Sequence, residues 1–485
     1  MNVTMAIVTD VDLRKPASFI SNFVTFAGGF KLSQLLGRNV GPGQANWMAA
    51  SYPLTQSAFV LISGRLGAVY GHQKILLIGG GFLVVFSLIN AFCSTYESFV
   101  SARALTGIGG GLLMPNAVAM LMIMVPPGRA RNVTMAFFAA SPPIGGWCGA
   151  ILAGIFVELT DWKWLFIFIA LLGAVVFGGL FFAFPKEQPV DKGGKIDYMG
   201  AALGLSSLLL FNFAWNQAPS VGWKTPYEIA IVILSVVLFG LFLVWEKKFA
   251  KEPVMPLKIF NAPTFTALVF VVLLTYMSFG ISNWYMVAWQ QLIRDWTVIQ
   301  LAIGWIPFAL GAVAAVGLAA WLIPRLDAQY ILAIGVAVAL VSNLLLATMP
   351  EQQTYWAQMF PAILLGSVCP DFVFVAAQVI ASNSVGRREQ GVAGSLIGTL
   401  NLYGVSLGLG FAGTIETEIV KDSKDELPGY RAALYFGVAL AAAALIMDFA
   451  FVRLPKDDRE GWSITADDDV PGVGTATGVE GGTAA

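Results

Sequence analysis

Gly64-Arg65-Leu66-Gly67-Ala68-Val69-Tyr70-Gly71-His72-Gln73-Lys74 separates an apolar run at about 46 to 66 from a second at about 75 to 95. A helix needs about 20 mostly apolar residues to cross the hydrocarbon core of a bilayer, so each run is long enough to span one. The segment between them must reverse the chain in few residues. Gly64 and Gly71 suit that, because glycine adopts backbone angles closed to other residues. Arg65 and Lys74 fix the turn at a water-facing surface.

The same alternation extends along the chain. Reading apolar runs bounded by charge, Pro and Gly predicts spans at about 18 to 36, 46 to 66, 75 to 95, 99 to 124, 133 to 157 and 163 to 184. A charged break from Lys186 to Asp197 precedes two more, at about 198 to 216 and 227 to 246, and Lys247 to Lys258 precedes the last six, at about 264 to 287, 298 to 322, 329 to 348, 356 to 380, 392 to 415 and 431 to 453. The expectation is an all-α integral membrane protein of about fourteen helices. It divides into an N-tail at 1–17, a six-helix bundle at 18–184, a linker with two spans at 185–258, a second six-helix bundle at 259–454, and a disordered tail at 455–485 whose Gly, Thr, Ala and acidic content cannot bury enough surface to order itself.

Composition agrees. With 57% apolar and 12% charged residues, the chain carries about half the charge of a soluble domain, which rules out a soluble globule. A net charge of −1 leaves no basic excess for a phosphate backbone, so nucleic acid is excluded as a partner. Nineteen of the 28 Lys and Arg residues fall on the loops that share a side with the N-tail and seven on the other, with Lys31 and Arg103 inside spans. The positive-inside rule then places both termini in the cytosol. A single histidine, His72, cannot build a multi-histidine metal site, and Cys93, Cys148 and Cys369 sit in separate apolar runs. No phosphate-binding loop is present, and no nucleophile and base stand as a pair at helical spacing, so no enzyme activity, metal or cofactor is expected.

Four segments carry chemistry. Arg103 stands about one turn inside an otherwise apolar span, where a guanidinium costs several kcal/mol unless it meets a wet cavity or an acceptor. It is either functional or an outer-leaflet arginine reaching for water. Ser141-Pro142-Pro143-Ile144-Gly145-Gly146, followed by Gly149, predicts a bent helix with a flat contact face. Asp371, in Cys369-Pro370-Asp371-Phe372, lies deep in its span; it lines a cavity as a proton or cation site, or else pairs with a polar neighbour. Asn401 and Tyr403 are candidate polar groups of the same cavity. Trp284, Tyr285 and Trp289 read as interfacial anchors at the headgroups.

The 64–74 segment resembles the loop signature of the major facilitator superfamily, Gly-x-Leu-x-Asp-x-x-Gly-x-x-Lys, with Ala68 where the signature has its acidic residue. Arg103 followed by Gly107 is similar to the family's helix 4 pattern, and Ser141 to Gly146 to the Gly-Pro-x-x-Gly-Gly signature of its antiporters. Trp162-Lys163-Trp164, Leu210 to Pro219, and Gln390 to Leu396 leading on to Asn401 and Glu416 resemble the fourteen-helix drug:proton antiporters, in the fungal branch with the aminotriazole-resistance, boron-efflux and low-affinity ammonium transporters. The resemblance implies two bundles around a midplane cavity that work by alternating access. It implies proton-coupled efflux of a small molecule, Arg103 and Asp371 in coupling, and a carboxylate at position 68 that would tie the halves together. A monomer in the plasma membrane, ahead of the vacuolar one, is the corresponding expectation. A uniporter or symporter of a small polar solute and a non-transporting sensor remain open.

Overall fold

The computed structural model describes residues 14–124, 129–183, 189–261, 263–385, 389–421, 423 and 425–453. The expected disordered tail and most of the expected N-tail lie outside the described residues. All regular structure among the described residues is helical. We number the principal helices α1 (Arg14–Ala27, continued by Gly29–Leu35), α2 (Trp47–Tyr70), α3 (His72–Ala91), α4 (Tyr96–Met124), α5 (Arg129–Leu159), α6 (Lys163–Ala183), α7 (Tyr198–Val221) and α8 (Pro226–Lys248). The remainder are α9 (Pro263–Ala288, ending in a π-turn at Trp289–Ile293), α10 (Val298–Gly304 and Ile306–Leu322), α11 (Ala328–Ala347), α12 (Met359–Gly366 and Val368–Ser384), α13 (Gln390–Val420) and α14 (Leu427–Phe451).

Twelve helices among the described residues are long and apolar enough to cross a membrane, against the fourteen expected. The two that fall short are α1 and α2, and their surroundings explain it. Ser18, Ser21 and Thr25 of α1 and Ser51, Gln56, Ser57 and Ser63 of α2 are buried among other helices, so these two helices exchange lipid contact for protein contact. Ser18 Oγ lies 2.6 Å from Tyr52 Oη, which ties them together. The first helix also begins earlier than expected, at Arg14, and is interrupted at Gly28.

One end of the bundle carries the 64–74 turn and the far ends of the first and last helices; we call it the loop face. Toward the opposite face α1–α6 and α9–α14, here called the two helix groups, share one apolar core, in which Phe26 and Phe30 of α1 meet Trp284 of α9 and Trp305 of α10. A second core, around Phe265, Val271, Val373 and Ile397, is built from α9 to α14 with Phe242 of α8. The groups are therefore sealed at one face and part toward the other.

The expected linker helices differ from each other. α8 packs chiefly on α7 and exposes Ile233, Val237 and Leu241 outward. α7 is wedged against both α2 and α13. Asn212 and Asn216, four residues apart and so on one face of the helix, are fully buried there. Asn46 Nδ2 donates to Asn216 Oδ1 at 3.1 Å, Asn216 Nδ2 donates to Asn212 Oδ1 at 2.6 Å and to the Ser406 carbonyl at 3.1 Å, and Ser406 Oγ donates to the Ala50 carbonyl at 3.1 Å.

Candidate functional site: a cavity between the two helix groups

A cavity of about 1640 Å³ lies between the groups and extends to the loop face, where Arg65, Asp191, Glu252, Lys258 and Glu389 form its rim. Its depth is lined by aromatic side chains, among them Phe23, Phe138, Tyr276, Phe279 and Phe308. The polar groups there are Asn22, Asn283, Asp371, Gln378 and Asn401, so Asp371 is the charged side chain away from the rim. At the rim, Lys258 Nζ lies 2.5 Å from Glu389 Oε1. The volume exceeds the ~300–1,000 Å³ of an ordinary small-molecule pocket, which leaves room for a solute and its water.

The opposite face is closed by contacts made across the groups. Trp284 stacks on Phe30 with centroids 4.5 Å apart, meets Phe26 edge-on at 5.5 Å, and donates from Nε1 to the Pro42 carbonyl at 3.0 Å. On α5, Trp147 Nε1 donates to the Ala302 carbonyl at 3.1 Å, and Glu158 Oε1 accepts from the Ile299 amide at 3.2 Å. Tyr285 Oη donates to Glu416 Oε2 at 2.6 Å, and Glu416 lies against Gly43 of the short helix Pro42–Ala45. Trp284, Tyr285 and Trp289 are 1% exposed or less. They are therefore packed inside the protein and not set in a headgroup belt: Trp284 points at the other helix group, while Tyr285 turns to Glu416 and Tyr430 of its own.

The 64–74 turn is held from inside. Gly71, at φ +99°, caps α2 with its amide on the Gly67 carbonyl at 2.8 Å, a backbone angle that favours glycine. A side chain at Gly67 would collide with Asn116 and His72, whose Oδ1 and Nδ1 are 2.8 Å apart. Gly64 has ordinary space around it and lines the cavity, so packing requires Gly67 more than Gly64. Arg65 binds Asp191 at 2.7 Å and also Glu252, while Lys74 is exposed.

Arg103 is fully buried on α4, with Nη1 donating to Ser21 Oγ at 2.9 Å, Nη2 donating to the Ser21 carbonyl, and its guanidinium 4.9 Å from the centre of the Tyr52 ring. It is absent from the cavity lining, so it sits within the α1–α2–α4 packing and apart from Asp371. Its acceptor, Ser21, belongs to a stripe of Ser18, Ser21, Asn22 and Thr25 at helical spacing on α1. Pro142 and Pro143 line the cavity, while Gly145 and Gly146 are buried. A Cβ at Gly146 would lie 3.1 Å from the Phe23 ring, and one at Gly149 would lie 2.7 Å from the Ile20 carbonyl, so this face brings α5 against α1.

Asp371 and Asn401 are in the cavity wall. Tyr403 is not: its hydroxyl donates to the Leu208 carbonyl of α7 at 3.2 Å, which corrects its expected place in the cavity. No group of three or more potential metal ligands occurs among the described residues. Sequence reasoning missed Glu416, Trp284 as a closing residue, Asp191, and the Asn212–Asn216 pair. Of these only the asparagine pair left a readable signal, two amides at spacing four inside an apolar helix, which require buried partners.

The Major Facilitator Superfamily model matches residues 16–409. Among relatives, the low affinity ammonium transporter of Saccharomyces cerevisiae is 32% identical over 84% of this chain and 80% of its own length. The efflux pump terJ of Aspergillus terreus is 32% identical over 91% and 90%. Among solved structures, a bacterial homologue of the human lysosomal transporter Spinster superposes with a TM-score of 0.64, covering 93% of this chain and 98% of that one at 14% identity. The wedge of helices around a loop-face cavity, the Gly-rich turn and these matches agree: the chain is a multi-pass membrane protein of the major facilitator superfamily, from its fungal drug-efflux-like branch.

Proposed function

We propose that the protein exports small organic solutes in exchange for protons, with the loop face in the cytosol. The observation that carries this reading is the large cavity, extending to the loop face and sealed at the other, with Asp371 as the charged side chain of its depth. Such an arrangement takes a solute from the loop face, and rocking of the two groups delivers it to the other side. The excess of Lys and Arg on the loop-face side supports a cytosolic orientation of that face and of both termini, and the efflux relative supports the direction of transport. Asp371 is the residue we assign to the proton. The assignment does not extend to Arg103, whose hydrogen bonds end on Ser21. The division into two six-helix bundles joined by 185–258, the monomeric state and the plasma membrane belong to the same proposal.

A solute as small as ammonium is the second reading, favoured by the relative of that name. Uptake of a solute panel into everted vesicles, with and without an imposed proton gradient, separates the two. Export by exchange requires uptake that rises with an inside-acid gradient and collapses with a protonophore. Gradient-independent uptake of every transported solute would overturn proton coupling.

A further inference from the structure

Arg65 sits at the cavity rim and gathers two segments far apart in sequence. Nη1 donates to Asp191 at 2.7 Å, and Nε and Nη2 both donate to the Lys195 carbonyl, at 3.3 and 2.9 Å; these partners lie between α6 and α7. Nη2 also donates to Glu252, between α8 and α9. Asp191 is positioned by more than its carboxylate, since its amide donates to the Ala68 carbonyl at 3.0 Å. Ala68 lies three residues after Arg65 on α2, hence beside it on the helix surface. The carboxylate of Asp191 therefore stands next to the residue whose own side chain has no charge.

We propose that Asp191 supplies, from the segment between α6 and α7, the carboxylate that the turn lacks at position 68, and that Arg65, oriented by it, holds the Glu252 segment at the mouth of the cavity. A guanidinium is a planar fork, so engaging one arm with a carboxylate fixes the plane and with it the aim of the other N–H groups. Without Asp191 the guanidinium would keep the Lys195 carbonyl and Glu252 but lose the one carboxylate that engages Nη1, and with it the charged contact that fixes its aim from the 191–195 side. The two segments are in turn anchored to the α7–α8 pair: Trp245 Nε1 donates to Asp197 Oδ2 at 2.9 Å, and the Val254 amide donates to Glu246 Oε1 at 3.2 Å. Arg65 is thereby the clasp that fastens both ends of the α7–α8 pair to α2. Asp191 is its positioning residue.

Hydrogen exchange measured by mass spectrometry on the full chain in lipid nanodiscs tests this without any substrate. The segment read is 249–256, which shares Arg65 with Asp191 and has no hydrogen bond to Asp191 among the described residues. Asp191→Ala should speed its exchange about two- to fivefold, the range an exposed ion pair reaches. Arg65→Gln should give the same increase, and the double variant no more. Adding Ala68→Asp to Asp191→Ala should return 249–256 to the parent rate. Asp191→Asn, which keeps the volume and removes the charge, should match Asp191→Ala and serves if the alanine variant does not fold. An unchanged rate in 249–256 in a folded Asp191 variant, or failure of Ala68→Asp to restore it, would overturn the proposal.

Discussion

Replacing Trp284 by alanine should unseal the face opposite the loop. Its indole is 1% exposed and touches the other helix group in three specific ways: a stack on Phe30, an edge contact with Phe26 and a hydrogen bond to the Pro42 carbonyl. An aromatic pair is worth ~0.5–1.5 kcal/mol beyond area burial, and a buried hydrogen bond a net ~0.5–1.5 kcal/mol. Two pairs and one bond come to about 1.5–4.5 kcal/mol, all of it lost when the groups part at that face. At ~1.4 kcal/mol per decade, the equilibrium between the sealed and open forms should move by ten- to a thousandfold. The assay is labelling of a cysteine introduced at Asn401, in the cavity wall, by a membrane-impermeant maleimide applied from the sealed side, in a background lacking Cys93, Cys148 and Cys369. Trp284→Ala should raise the initial rate at least tenfold, with Trp284→Phe between it and the parent because the ring contacts persist and the hydrogen bond does not. Rates within twofold of the parent at equal membrane insertion would refute the closure described here.

Tyr285→Phe removes a hydrogen bond made within the second helix group, which orients the Glu416 carboxyl against Gly43 of the other. It should raise the same labelling rate by less than Trp284→Ala does, because its own bond survives when the groups part, and Glu416→Gln should add little on top of it, as expected for two ends of one contact. Asp371→Asn should leave solute binding intact while transport stops responding to a proton gradient; an unchanged proton-to-solute ratio in reconstituted vesicles would remove Asp371 from coupling. Arg103→Ala should lower the thermal unfolding midpoint in detergent by several degrees, since it deletes two hydrogen bonds to Ser21 and the contact over Tyr52, and Arg103→Lys should recover part of the loss. A midpoint equal to the parent's would show that the buried guanidinium does not hold α4 to α1.

Apolar runs located α3, α6 and α9 to α14 within a few residues, because a helix in lipid needs little beyond length and hydrophobicity. The runs at 18 to 36 and 46 to 66 also located α1 and α2, although these helices are less apolar than the rest because their serines and Gln56 are shielded by neighbouring helices. The direction in which a helix faces was the main quantity that stayed hidden. On α9, apolar residues occupy every side, so nothing local distinguishes a tryptophan at a headgroup from Trp284 lodged against Phe30. Tyr403 and Asn401 are two residues apart on α13 and so point about 200° apart around it, one to α7 and one to the cavity. The glycine turn was legible through Gly71, whose positive φ is a local demand, and the missing acid at position 68 was legible too. Its replacement was not, since Asp191 lies 123 residues further along the chain and only the fold brings it near.

The asparagine bridge through α7 carries a mechanical consequence. Asn216 is bonded to Asn46 on one side and to Ser406 on the other, and several of these bonds end on backbone carbonyls, which side-chain rotation cannot follow. Two bodies that turn against each other can keep such short links only where the relative displacement is small, that is, near the axis of turning. For the rocking proposed above, the bridge would mark a fulcrum. It sits off-centre, because Asn46 begins α2 and Asn216 is close to the end of α7, both toward the sealed face. The lever arm to the loop face is then the longer one. A small rotation that barely separates Trp284 from Phe30 sweeps the rim through a larger distance, so the mouth of the cavity travels further than the plug at its floor.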